Sequence, residues 1–386
     1  MRIFMTFLFT LLSLPHLQFS GNSATIDVTA SLVSLGSPYV TSAYSRNIWD
    51  MQVFNNRIYL ANGDSVANEK SEGVVYYDLA SNKFINQFSV DDEQLGDYKI
   101  INGELYVPGA DATESWEFGN FYKLTGDSWT KNRTIPKAVH VTGIEEFGGY
   151  LFTGIGSTEN KVMLMSSDKG KKWKPIDKST LLKYSPNNGR PILSMFKLNG
   201  NLYGASMLHG YALDNNNVVR VSKVTKNGIT SFSSSVVVAN KMFPGAPLDQ
   251  SNKFVKATPF GTMLLYIGAS VAPSDSAVVR TLYVATDINV AKCITLPDTL
   301  AKPMDIIIKS NTAHILTYKK IAANSFINIV YSTSDGVAFN ETLRFSSDTF
   351  ARSFEEVNGC FYFGLGCASD SISESSGKVL KVDISH

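Results

Sequence analysis

The sequence predicts an all-β fold: a seven-bladed β-propeller of four-stranded antiparallel blades, its ring closed by the N-terminal strand. Three observations carry this. One hairpin pattern recurs along the chain, each copy has a tight-turn pair at its tip, and each is followed by a further apolar strand. The copies are VFNNRIYLANG from Val53, IINGELYVPG from Ile100, EFGGYLFTGIG from Glu146, KLNGNLYGAS from Lys197, PFGTMLLYIG from Pro259, SNTAHILTYK from Ser310 and VNGCFYFGLG from Val357. The sixth is degenerate and the fifth partly so. The turn markers Asn56, Gly103, Gly149, Gly200, Gly261, Thr312 and Gly359 fall about fifty residues apart, a spacing typical of propeller or array repeats.

Taken in order, the chain opens on Arg2, the apolar run IFMTFLFTLLSLP and the polar HLQFSGNSA. That order is the one of a secretory signal peptide, and the run is too short to span a bilayer. A buried N-terminal strand is disfavoured because nothing polar alternates within it. Cleavage after Ala24 leaves residues 25–386 as one propeller domain, secreted or periplasmic. Next comes TIDVTASLVSL, a strand with no hairpin partner of its own. Asn-Gly and Gly-Gly at the hairpin tips supply the positive φ values that a two-residue turn needs. The third strand of each unit reads GVVYYDL from Gly73, NFYKLT from Asn120, KVMLMSS from Lys161, VVRVSKV from Val218, RTLYVAT from Arg280, INIVYSTS from Ile327 and GKVLKVDIS from Gly377. A weaker fourth, such as KFINQFSV from Lys83, fits before most of the next copies. The last unit has room for three strands before His386, so the unassigned N-terminal strand is expected to complete it.

Composition narrows the function. Charged residues are 18% of the chain and the net charge is +1, which gives no long-range attraction for nucleic acid or an anionic membrane. No later stretch is long and apolar enough to span a membrane, and a monomer is expected. Three cysteines, Cys293, Cys360 and Cys367, rule out a disulfide framework; Cys360 and Cys367 flank one extended strand, out of disulfide reach, and all three read as small buried hydrophobes. Asn132 and Asn340 begin Asn-x-Thr sequons. No GxSxG, Walker loop or dinucleotide fingerprint stands in context, so no cofactor is expected.

The segment SSDKGKKW places Ser166, Asp168, Gly170 and Trp173 at the turn after a third strand. It resembles the Asp-box, or BNR repeat, of sialidase-like propellers. That resemblance implies a structural role: serine and aspartate bond the turn, glycine takes the special backbone conformation and tryptophan packs beneath the blade. Ser332, Ser334, Gly336 and Phe339 in STSDGVAF look like a decayed second copy. The early segment SRNIWDMQVFNNRIYLANGD, with YVPGADATESWEFGNFYKL and RTIPKAVHV, is similar to exported bacterial propellers of no assigned activity. Sialidases have six blades and an Arg-Ile-Pro motif that neither YSRNIW nor NRTIP supplies, so a retaining sialidase is not expected.

In such a ring, ligands sit where the loops entering the innermost strands and those joining second to third strands open around the axis. The entering loops bring Arg46, Trp49, Asp92 with Glu93, His140, Arg190 and Arg352. The other set brings Asp64, Asn68, Asp111, Glu114, Trp116 and His209. Aromatic faces stack on sugars, and carboxylates and arginines bond hydroxyl or acid groups. Arg46, Asp64, Asp92, Asp111, Trp116, His140, Arg190 and His209 are therefore the candidate ligand-binding residues. Each also has a plain structural reading. Arg46 and Asp50 can form an ion pair in the channel, and Asp92 and Glu93 point oppositely on an extended segment. Asp111, Glu114 and Glu117 lack calcium-loop spacing and read as solvated charges. His140 and His209 lack zinc-ligand spacing, so no metal is expected. Trp116 serves either recognition or loop packing. Dispersed repeats without a concentrated motif suit a non-catalytic propeller that binds carbohydrate or protein. The alternatives are a polysaccharide lyase or glycoside hydrolase using His140 or His209 with Arg190 and a carboxylate, and a scaffold with no small ligand.

Overall fold

A computed structural model describes residues 26–67, 69, 73–157, 163–166, 169–176, 192–209, 217–225, 228–236, 239–247 and 249–384. The expected signal segment 1–24 lies outside the described residues, as do Asn68, Asp168 and Arg190. Within them the chain is all-β, with one four-residue helix, Ala239–Met242, and two short 3₁₀ turns. The strands form five sheets of four or five strands and one sheet of nine. In each, strands that follow one another in the chain pair antiparallel, as in Asp50–Phe54, Arg57–Ala61, Val74–Asp78 and Lys83–Phe88, while the short Ile26–Asp27 adds in parallel to Asn340–Ser347. The nine-stranded sheet holds two such meanders joined by the residue pair His140↔Ala110, and Asp92–Leu95 pairs with the end of Glu104–Ala112.

The hairpin tips show why the repeat needs its Asn and Gly. Both central turn residues have positive φ in Asn55 (50°) and Asn56 (59°), Asn102 (52°) and Gly103 (77°), Gly148 (60°) and Gly149 (84°), Asn199 (50°) and Gly200 (69°), and Asn358 (53°) and Gly359 (77°). Such turns match the twist of the strands they join. The degenerate sixth copy does the same with Ser310 and Asn311, and its nominal marker Thr312 is already in the strand, paired with Lys309.

Behind each tip the second strand is buried on both faces: Ile58, Tyr59, Leu60 and Ala61 are fully covered, as are Leu264, Leu265, Tyr266 and Ile267. That explains the continuous apolar runs, since a strand sandwiched between neighbouring sheets has no solvent side to alternate toward. Apolar clusters fill the gaps between successive sheets. One joins Tyr59, Ala61 and Val74 to Leu105, Tyr122 and Trp129; another joins Phe196 and Tyr203 to Phe254 and Tyr266. The last sheet meets the first in the same way, with Cys360, Tyr362 and Val379 against Ile48, Met51, Ile58 and Leu60. Sheets packed face to face around an axis and returning on themselves make a β-propeller. Val33–Gly36 pairs with Val379–Asp383 (Val33↔Lys381, Ser34↔Leu380), beside the strand Cys360–Gly366. Cys360 and Cys367 are buried as expected; Cys293 is exposed, at the end of a peripheral strand, and is not the buried hydrophobe its sequence suggested.

The SSDKGKKW turn is a structural device in its described part. Ser166 Oγ accepts from Gly170 N at 2.7 Å, and Trp173 Nε1 donates to Gly170 O at 3.0 Å. Gly170 has φ +93°, and a Cβ there would lie 2.4 Å from Phe121 Cζ, whose ring meets Trp173 edge-on. In STSDGVAF the roles fall on different residues from those read in the sequence. Thr333 Oγ1 accepts from Gly336 N (2.9 Å), and Asp335 Oδ1 accepts from Val337 N and Ala338 N (2.8 and 2.9 Å). The aspartate is present, one position away from where the eight-residue pattern sought it.

Candidate functional site

Antiparallel meanders put the hairpin tips at one end of the ring and the entering and second-to-third connections at the other. Contacts between distant segments confirm that these connections share an end. Tyr44 OH donates to Asp275 Oδ2 (2.8 Å), Ser369 N donates to the same oxygen (3.2 Å), and Ser276 Oγ bonds Asp370. The segment 271–279 thus reaches the loops of the first and last sheets.

The sequence-selected residues are only partly brought together. Arg46 pairs with Glu374 at 2.9 Å, not with Asp50. Asp50 is tied instead to Lys256, because the channel is narrow enough for strands from different sheets to exchange partners. Asp64 Oδ1 accepts from Val66 N (3.0 Å), a local turn bond. Asp92 lies in a strand, buried, and accepts from Asn120 Nδ2 (2.9 Å) and Tyr122 OH (2.5 Å); burial pushes its carboxyl up to about 6. Asp111, at φ +54°, has Oδ1 3.5 Å from His140 Nδ1. Burial raises its pKa, with His140 opposing. Glu114 is not a lone solvated charge: it pairs with Lys131 (3.0 Å) and Arg133 (2.7 Å). Trp116 is 51% exposed. Asp92, Asp111, Trp116 and His140 therefore gather around the end of Glu104–Ala112. His209 lies in the strand Leu208–His209, with its side chain outside the described residues.

Along the channel strands of different sheets share a network of charges, which lines a cavity of about 180 Å³. Lys256 Nζ lies 2.6 Å from Asp50 Oδ1, 3.4 Å from Asp97 Oδ2 and 3.5 Å from Asp305 Oδ1. Burial opposes the ammonium, but Asp305, Asp50 and Asp97 outweigh it and hold its pKa well above the ordinary lysine value. Lys99–Glu145 (3.0 Å) and Lys309–Glu355 (2.9 Å) continue the network.

At the channel mouth above the network lies a cavity of about 270 Å³, lined by Trp49, Leu193, Lys253, Phe254, Val255, Arg280, Met304 and Arg352. Arg352 is 7% exposed, lies 4.1 Å over the Trp49 ring and donates to Cys367 O (2.9 Å). Trp49 is itself held by Nε1 donating to Gly63 O (2.7 Å). Arg352 Nε and Arg280 Nη1 are buried without a hydrogen-bond partner. Burial, then repulsion from Arg352, brings the Arg280 guanidinium down to about 10; burial and Arg280 lower Lys253. None of the three cations forms an ion pair with a described residue. Such a cavity can receive an anion, because its cations are already desolvated and two donors are unused.

Trp49 and Arg352 stand among the loop residues that the sequence pointed to. Lys253 and Arg280 do not, since both lie at strand ends in the weakly marked fifth unit. The available signal was a basic residue at the mouth end of an innermost strand, SNKFVK, which hairpin-tip matching passes over. None of Arg46, Asp64, Asp92, Asp111, Trp116 and His140 lines the cavity.

No family model matches the chain, and no curated protein matches it. Among solved structures it is similar to the polysaccharide lyase Uly1, with TM-score 0.48 and 10% identity over 93% of this chain and 98% of that one. It is also similar to Drosophila Semaphorin 2a, with TM-score 0.46 and 9% identity over 91% of this chain and 75% of that one. Likeness at this level transfers neither activity nor ligand.

Proposed function

We propose that the chain is an exported, non-catalytic propeller that binds a glycan or protein ligand at its loop face, over the channel mouth. The observation that carries this reading is the cation-lined cavity: Lys253, Arg280 and Arg352 converge there without a direct ion pair to any described carboxylate, Asp275 acting on them only from a distance. Its frame is read as seven four-stranded blades of one domain, residues 25–386, in which the nine-stranded sheet counts as two and Val33–Gly36 completes the last. The Ser166–Trp173 turn suits an origin among sialidase-like Asp-box propellers, and export rests on the N-terminal run. Catalysis is less well supported, because His140, Asp92 and Asp111 do not line the cavity that holds the cations.

The test is a glycan array and a displayed-protein library, followed by hydrogen exchange on the complex with any ligand found. Protection should fall in 40–49, 271–280 and 350–352. Protection confined to the hairpin tips would remove the reading. Acidic polysaccharides should remain uncleaved; turnover abolished by His140→Ala would favour the enzyme instead.

A further inference from the structure

Resting on that reading, we propose that the mouth takes a protein ligand: a peptide segment that inserts one carboxylate between Arg280, Arg352 and Lys253 and lays flanking apolar residues on the surrounding loops. Two independent observations point there. The first is charge complementarity. Three cations meet in a cavity of about 270 Å³, two of their nitrogens have no partner, and none forms a direct ion pair with a described carboxylate; Asp275 acts on all three only at longer range and leaves Arg280 and Lys253 below their ordinary values. That volume sits just under the range of about 300–1,000 Å³ usual for drug-sized ligands, so it suits the end of an acidic side chain better than an extended oligosaccharide.

The second is what surrounds it. Val40, Val66, Trp116, Val271, Val279 and Ile372 are all exposed, and all lie on connections of the mouth end. Five of the six are aliphatic and offer little to a sugar, which stacks on flat aromatic faces; Trp116 is the one flat face among them, and it does not line the cavity. Neither aromatic of the cavity is open for stacking: the Arg352 guanidinium already covers the Trp49 ring at 4.1 Å, and Phe254 is buried against Phe196 and Phe243. An apolar rim around a desolvated arginine pair is the anatomy of a protein-binding hot spot.

The experiment uses the full chain and a synthetic array of peptides carrying one Glu or Asp flanked by Leu, Val or Phe. Oligogalacturonate and heparin oligosaccharides are titrated in parallel by fluorescence anisotropy. Peptides should bind, with affinity falling about tenfold or more on Glu→Gln in the peptide or Arg280→Gln in the protein, a change equivalent to about 1.4 kcal/mol. Val279→Asp should also weaken them, with thermal midpoints unchanged in both protein variants. Saturation by the oligosaccharides, dependent on Arg280, with no peptide bound would overturn the inference and leave loop-face binding intact. An array on which nothing binds also overturns it. Peptide binding that ignores both Arg280→Gln and Val279→Asp places the site elsewhere and removes the loop-face reading as well.

Discussion

Replacing Asp92 by Asn should flatten part of the pH dependence of stability. The carboxyl is 1% exposed; Oδ2 accepts from Asn120 and Tyr122, while Oδ1 has no partner. Burial raises it from 3.8 to about 6, against the pull of the Tyr122 and Asn120 bonds. An acid whose folded pKa is raised holds its proton more tightly in the native state, so its contribution is complete below about pH 4 and is lost as pH climbs to about 6. Roughly two units at 1.36 kcal/mol each give about 3 kcal/mol for the full loss. Asparagine mimics the protonated acid and cannot ionise. Urea unfolding of both proteins at several pH values from 4 to 8 measures the difference. The stability of the wild type relative to Asp92→Asn should fall by about 3 kcal/mol across pH 4–6.5 and stay level above it. The difference isolates Asp92 from the channel carboxylates, which titrate in both proteins. A constant offset between the two curves would refute the argument, whatever its size.

Three further outcomes follow from the same structure. Lys256→Met strands Asp50, Asp97 and Asp305 without their cation and should cost about 3–5 kcal/mol in denaturant unfolding, partly regained by adding Asp50→Asn; an additive double variant would contradict the shared network. Gly170→Ala should lower the thermal midpoint far more than Gly103→Ala. Both have positive φ, each costing about 1–2 kcal/mol, but only at Gly170 would the new methyl meet a ring, and equal shifts would sink the packing argument. Deleting residues 25–37 removes the strand paired with Val379–Asp383 and should reduce cooperativity and midpoint together in calorimetry; unchanged melting would show that the pairing is dispensable.

The framework was legible because it is written locally. Asn102-Gly103 or Asn358-Gly359 states its own turn, and the run after each states burial on both faces. The site was less legible because it is made by convergence. Lys253, Arg280 and Arg352 come from distant units, and nothing in SNKFVK or VVRTLY marks them as neighbours of a tryptophan two hundred residues earlier. Arg46 and Asp50 misled for the complementary reason: proximity in sequence suggested a pair, while the ring delivered Glu374 to one and Lys256 to the other. Asp92 accepts its bonds from Asn120 and Tyr122 on another strand, beyond the reach of a local pattern.

The two-residue tips carry a consequence for how this molecule can change over generations. At Asn55–Asn56, Asn102–Gly103 or Asn358–Gly359, lengthening the chain would undo a pair of left-handed residues and slip the register of two strands. The opposite end carries the long connections, such as 37–49 and 367–378, where residues can be added without moving a strand. Descendants of such a chain can therefore rewrite their specificity entirely at one pole while the other stays nearly constant. Among relatives, resemblance in the hairpins would then record ancestry, and only the loops would record what is bound.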